Sequence, residues 1–485
     1  MSRAGRMRRA GVQLRNMEAR SPQNDPQRPR IHFAPPRGWM NDPNGLIHIN
    51  GEYHMFYQYN PRGADGPPRA RIAWGHARSR DLARWEHLPL ALLPDRSYDR
   101  GGAWSGCAVR DENGAAAILY TGAGRGPFLP QSQCLATSRD MIHWRKSRLN
   151  PVIKYPPPGV PRWCFRDPFV WKQATGRWLM AVGASLWGRG AVLLYESPDL
   201  RRWRGLGTLF AAENPVRQGW MWECPIVLRF GDRRLIVVSV PGGQVLWFSG
   251  GMSEALKFEP ERSGVLDPGG CAFAPQAFTD AAGRRILFAW LRENRARAAR
   301  RGWQGCMSLP RVISLDDSGR PVFAPAPELE SLRGAPVRLE SLDVAPGAAL
   351  PLPGVRGGCL EIRARLNPGG ARRLGLLLLD DNDPRRRTAI LYDTRKAVLS
   401  VDRSHSSADP GADRSIRSAH LPLGPGELLD MRLFLDRSVI EIFANGRVCM
   451  ACRIYPEQPD RLHAALIAHG GAARAESVDA WPLCI

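Results

Sequence analysis

Lysine is almost missing from this chain. Of its 68 basic residues only Lys146, Lys154, Lys172, Lys257 and Lys396 are lysines, so a formal net charge of +22 is carried nearly entirely by arginine. The arginines run along the whole length instead of gathering in one module, which argues against a nucleic-acid partner. The densest run after the N-terminus, Arg295–Arg301, reads as a solvated loop. No apolar run of about 20 residues occurs, so no membrane-spanning helix is expected. Segment 1–30 is basic and polar, has none of the apolar core of a secretory signal, and is expected to be a disordered tail on a cytoplasmic protein. Ten cysteines offer no Cys/His quartet, so no metal is expected. Cys449 and Cys452 form one CxxC, but in an alternating run where residues three apart face opposite sides; buried free thiols are expected there. Long helices are also lacking, because 49 glycines and 42 prolines interrupt the chain too often.

What is present is a repeat. Ser79-Arg-Asp81-Leu82-Ala-Arg-Trp85 recurs as Ser138-Arg-Asp140-Met141-Ile-His-Trp144 and as Ser197-Pro-Asp199-Leu200-Arg-Arg-Trp203. The two intervals between the tryptophans are both 59 residues, and a degenerate fourth copy ends near Phe258. A fixed interval implies one supersecondary unit used repeatedly. The segments between copies, such as Tyr53–Tyr59, Trp178–Val182 and Leu235–Val240, are rich in β-branched and aromatic residues bounded by turn formers. About four short strands fit each interval, which predicts the blades of a β-propeller. Residues 31–333 have room for five. Beyond them, 334–485 alternates in Leu360–Leu366 and Ala397–Asp402, and Asn445-Gly446 separates two strand-like runs as a tight hairpin turn. That half predicts an antiparallel β-sandwich. The expected fold is all-β throughout.

About 20 residues after each repeat tryptophan comes an unusual segment: Trp104-Ser105-Gly106, Phe165-Arg166-Asp167-Pro168 and Trp222-Glu223-Cys224-Pro225. If these begin the innermost strands, Ser105, Asp167 and Glu223 occupy equivalent positions at one end of the channel. A third acid, Asp42, sits in Trp39-Met40-Asn41-Asp42-Pro43-Asn44-Gly45. Taken singly, Arg166-Asp167 reads as a structural ion pair and Asp-Pro-Asn-Gly as a turn. Together they place carboxylates in a shared pocket, where each perturbs the others' proton affinity. Glycoside cleavage needs that arrangement, with one carboxylate ionised and another protonated.

In these residues the chain resembles glycoside hydrolase family 32, the invertases, levanases, inulinases and sucrose-6-phosphate hydrolases. The likeness rests on Trp39–Gly45, Arg166–Pro168 and Glu223–Pro225 in that order, with weaker support from Phe56–Pro61, Trp74–Ala77 and Ile440–Gly446. The resemblance implies a five-bladed β-propeller followed by a β-sandwich, and retaining cleavage of β-D-fructofuranosides without a cofactor. It implies Asp42 as nucleophile, Glu223 as acid/base and Asp167 as transition-state stabiliser. It also implies a substrate pocket lined by Trp39, Met40, Asn41, Gln58, Trp104, Ser105, Arg166, Cys224 and Trp290. The substrate implied is a small carbohydrate, sucrose or a fructo-oligosaccharide.

Two stretches depart from the family pattern. Cys271-Ala272-Phe273-Ala274 stands where many members have an acid-aromatic-Tyr triplet before Ala, and Pro67–Arg71 lacks a tryptophan common before Trp74-Gly-His-Ala. Arg69 and Arg71 are thereby candidates for a phosphate contact on the leaving-group side. Sucrose is the expected substrate; sucrose-6-phosphate, fructans and transfer to a sugar acceptor are the alternatives. An arabinan- or xylan-active propeller is disfavoured by Trp39–Gly45, and a catalytically silent carbohydrate-binding propeller by the three intact carboxylates. The sequence leaves the oligomeric state open.

Overall fold

The Ser-x-Asp repeat is a turn with its own hydrogen bonds. In each copy the serine hydroxyl accepts the N–H of the aspartate (Asp81, Asp140, Asp199). The aspartate Oδ1 accepts the N–H groups of the residues two and three further on, at 2.7–3.1 Å. The residue between, Leu82, Met141 or Leu200, takes a left-handed φ of 58–65°. Its carbonyl accepts the indole N–H of Trp85, Trp144 or Trp203. Leu256, at φ 56°, marks the degenerate fourth copy. In all four the turn joins the third and fourth strands of a blade.

The computed structural model describes residues 22–484 apart from 65, 67–69, 127–128, 294–300 and 382. Five sheets form the propeller. Their innermost strands are Gly38–Ile49 (blade I), Gly102–Arg110 (blade II), Phe165–Lys172 (blade III), Glu223–Phe230 (blade IV) and Ala272–Thr279 (blade V). Successive strands pair antiparallel outward from each. Blade I gains a fifth strand, Trp303–Gln304, which pairs parallel with Gly38 and Trp39 and closes the ring with chain from its far end. Two six-stranded antiparallel sheets then form the sandwich from Val337 onward, around a core of Ile362, Leu376, Leu433 and Ile442. Asn445-Gly446 is the left-handed hairpin turn expected, and Gly446 accepts the N–H of Phe323 from blade V. Cys449 packs with the propeller core and Cys452 with the sandwich core, so the CxxC thiols do face opposite ways.

The two domains share buried charge. Arg311, fully buried, donates to Asp267 (2.8 Å) and Glu441 (2.6 and 3.0 Å). Glu441 also accepts from the His32 ring (3.1 Å), whose other nitrogen meets Asp436 at 2.8 Å. Burial opposes a charged imidazole, but the hydrogen bonds to Asp436 and Glu441 outweigh it and raise His32 above 6.5. Asp436 in turn accepts three successive backbone N–H groups, from Arg30, Ile31 and His32. Residues 22–30 are therefore folded against this junction, which corrects the expectation of a tail reaching residue 30. Asp25 accepts the Trp303 indole N–H, and the Arg28 guanidinium lies 5.2 Å from that ring. Residues 1–21 of the expected tail, and 295–300 of the arginine run, lie outside the described residues.

Glu441→Gln leaves Arg311 and His32 with one counter-charge each in a dry interface. It should cost about 3 kcal/mol or more of stability, read as a lowered midpoint in chemical denaturation. The His32 contribution is present below pH 6.5 and is lost as pH rises through the raised folded value. His32→Gln should flatten that part of the pH–stability curve.

Candidate active site

Each innermost strand is interrupted near the same end. Its pairing register slips between Met40 and Pro43, Trp104 and Gly106, Arg166 and Phe169, Glu223 and Ile226, and Phe273 and Gln276. A proline follows the bulged residue in four of the five: Asp42-Pro43, Asp167-Pro168, Cys224-Pro225 and Ala274-Pro275. Proline has no N–H for the ladder, and a bulge turns the local side chains toward the axis. Asp167, Cys224 and Ala274 sit at left-handed φ of 63°, 47° and 48°. Each sends its N–H to the neighbouring blade, to Thr121 Oγ1 (2.8 Å), Asp167 Oδ2 (3.0 Å) and Ser239 Oγ (3.1 Å).

Two rings of equivalent positions result. The residues before the bulge are Asn41, Trp104, Arg166, Glu223 and Phe273, and all five line one pocket of about 460 Å³. The bulged residues are Asp42, Ser105, Asp167, Cys224 and Ala274, of which the first three line it. This corrects the sequence alignment by one place: Glu223 is the equivalent of Arg166, not of Asp167. The pocket also takes in Trp39, Gln58 and Trp290 as expected. Met40 does not line it; its side chain is fully buried beside Tyr57, Phe288 and Met307, because it points from the strand into the blade core. Cys224 is buried behind the carboxylates, with Sγ 3.5 Å from Asp42 Oδ2 and 3.6 Å from Asp167 Oδ2. Pro241, Gly242, Phe273, Arg292 and Glu293 complete the lining and were not foreseen. The Phe-Ala-Pro of 273–275, parallel to Arg-Asp-Pro and Glu-Cys-Pro, was the signal available for Phe273.

The carboxylates are held by different partners. Asp42 Oδ2 accepts the Ser105 hydroxyl at 2.5 Å and Oδ1 accepts Asn41 Nδ2 at 3.0 Å. Trp39 Nε1 donates to Asn41 Oδ1 at 2.6 Å and fixes that amide. Burial raises the Asp42 carboxyl, the Ser105 hydrogen bond pulls it back, and the Glu223 charge adds to the rise. Burial pushes Asp167 up to about 7; the Arg166 charge opposes this, while Glu223 and Asp42 reinforce it. Glu223 Oε1 receives two donors from Arg166, at 2.5 and 3.1 Å. Arg166 is itself anchored on the Trp163 carbonyl (2.9 Å) and Gln131 (3.2 Å). Arg292 lies with its guanidinium 4.6 Å from the Phe273 ring and donates to the carbonyls of Gly243 and Gly270. Glu293 is paired with Arg453, a sandwich residue, so the second domain braces the pocket wall.

The two departures have plain structural outcomes. Cys271 faces the sandwich, donating to the Ala451 carbonyl, while Phe273 presents a ring without a hydroxyl to the pocket. Arg71 spends its donors on the carbonyls of Arg100 (3.0 Å) and Pro94 (2.5 Å) and does not line the pocket. Arg69 lies outside the described residues.

A propeller capped by a sandwich, with three carboxylates on its axis, is the architecture of one class of glycosidase, and comparison with known proteins gives the family. The chain belongs to glycoside hydrolase family 32: the family's N-terminal domain matches residues 32–325 and its C-terminal domain residues 328–482. It is similar to the sucrose-6-phosphate hydrolase of Zymomonas mobilis, with 37% identity over 94% of this chain and 92% of that protein. It is also similar to the raffinose invertase of Escherichia coli, with 35% identity over 92% and 93%. Among solved structures, fructan 1-exohydrolase IIa from Cichorium intybus superposes with a TM-score of 0.86, at 28% identity over 95% and 98% of the two chains. The protein is thus a glycosidase of the β-fructofuranosidase type.

Ser105→Ala removes the shortest donor to Asp42 and should raise its carboxyl further. The acid limb of any activity that needs Asp42 ionised should then move to higher pH, measured as kcat/KM across pH 4–8 in about ten steps.

Proposed function

We propose that the protein hydrolyses sucrose with retention, through a fructosyl–enzyme intermediate on Asp42. The observation that carries this reading is the asymmetry of the carboxylates. Asp42 is aligned by Ser105 and Asn41, whose donors favour its anion, the form that attacks the anomeric carbon. Glu223 is positioned by Arg166 through Oε1. The proton delivered to the leaving oxygen then sits on the other oxygen, and the same atom later deprotonates the water that releases fructose. Asp167 is more deeply buried than either and is held by the Cys224 N–H. It accepts hydroxyls of the fructosyl ring and stabilises positive charge on that ring as the bond breaks. Trp39, Gln58, Trp104 and Trp290 supply the apolar walls and the few polar atoms of a small-carbohydrate pocket.

The relatives' names divide between sucrose-6-phosphate hydrolase and invertase. Plain sucrose is favoured because Arg71 is occupied by backbone carbonyls and Arg292 is braced on two more. We place the enzyme in the cytoplasm, a reading supported by ten cysteines that are all free thiols.

Asp42→Asn should reduce sucrose hydrolysis by several orders of magnitude, about a thousandfold or more, with the fold intact by circular dichroism; more than a tenth of the wild-type rate would remove Asp42 from this role. Glu223→Gln should slow sucrose far more than an activated aryl β-fructoside, whose leaving group needs little protonation. Equal losses on both substrates would refute the acid assignment. Product analysis on sucrose, sucrose-6-phosphate and inulin fixes the preference.

A further inference from the structure

Among the described residues, the aromatic side chains more than about a third exposed are Tyr155, Trp163, Trp187 and Trp220, at 53%, 42%, 77% and 51%. All four fall in the loops of blades III and IV at the pocket end. Hydrogen bonds stitch the three tryptophan-bearing segments together around Ser185. Its N–H donates to the carbonyl of Cys164, next to Trp163, and its hydroxyl to the carbonyl of Trp220 (2.7 Å). Trp187 follows two residues later and donates its N–H to Gly159, on which its ring also rests.

None of the four side chains lines the pocket itself, but two of their segments adjoin it on one side. The Trp163 carbonyl anchors Arg166, the residue that holds Glu223, and Trp220 precedes Glu223 by three residues. Glu223 is the group assigned to the leaving oxygen, so the cluster lies where the leaving group departs. Exposed indole faces are costly to leave in water and suit the apolar C–H faces of sugar rings.

We propose that Trp163, Trp187 and Trp220 form a stacking shelf for the part of the leaving group beyond its first sugar. The enzyme then binds trisaccharide and longer β-fructosides with contacts that sucrose cannot make. The inference rests on the proposed assignment of Glu223 as the acid/base, and its test is kept separate from it.

The experiment compares kcat/KM for sucrose, 1-kestose and raffinose in wild type, Trp187→Ala and Trp220→Ala. The substitutions should lower the value for at least one trisaccharide about three- to tenfold, mainly through KM, and leave sucrose within about twofold. Calorimetric binding to the non-turnover Asp42→Asn protein, with and without Trp187→Ala, should show the same selective loss. Equal losses on sucrose and both trisaccharides, or no loss on any of them, would overturn the shelf. So would a wild-type dimer that dissociates on Trp187→Ala with the substrate ratios unchanged, which would assign the patch to a second copy. A wild type unable to cleave sucrose would instead overturn the activity, and calorimetry would then decide the shelf alone.

Discussion

The site depends on a backbone irregularity repeated around the axis. A regular inner strand would alternate its side chains between blade faces and offer few of them to the channel. In three blades the slip at the head of the inner strand presents two adjacent residues instead of one, and proline secures it in four blades by withholding an N–H. The left-handed residues before proline store strain of about 1–3 kcal/mol each. Their N–H groups offset it by bonding across to the preceding blade. One of those bonds ends on the Asp167 carboxylate, so the device that shapes the ring also positions an acid.

Charge is the second constraint. Asp42, Asp167 and Glu223 cannot all be anions in one cavity at low cost, and Arg166 is a cation placed against two of them. It approaches Glu223 closely and Asp167 at 3.9 Å, while Asp42 relies on neutral donors. Each acid thus has its own means of support, which is how like residues come to act differently in one pocket.

Much of this was legible in the sequence because it is local. The Ser-x-Asp turn makes its hydrogen bonds within seven residues, so its 59-residue interval announces the blades. The Asp-Pro and Cys-Pro steps mark the bulges. Counting forward from each repeat tryptophan placed Glu223 one position out, because the loops that precede the inner strands differ in length. Met40 was misplaced for a similar reason: a motif gives neighbours in sequence, while strand alternation decides which of them faces the pocket. Glu293, Arg292 and the His32–Glu441–Arg311 junction were not legible at all. Their partners are scattered along the chain, and nothing in the sequence pairs an interior arginine with a carboxylate in the other domain.

The closure of blade I has a temporal consequence. Gly38 and Trp39 find the neighbour on their axial side only when Trp303 and Gln304 arrive from the opposite end of the propeller. A pairing so distant along the chain forms slowly and late. Trp303 and Gln304 lie between the second and third strands of blade V, so this edge of blade I waits for chain about 260 residues further along. The inner strand that carries Asp42 is therefore not fully paired until the two ends of the propeller meet.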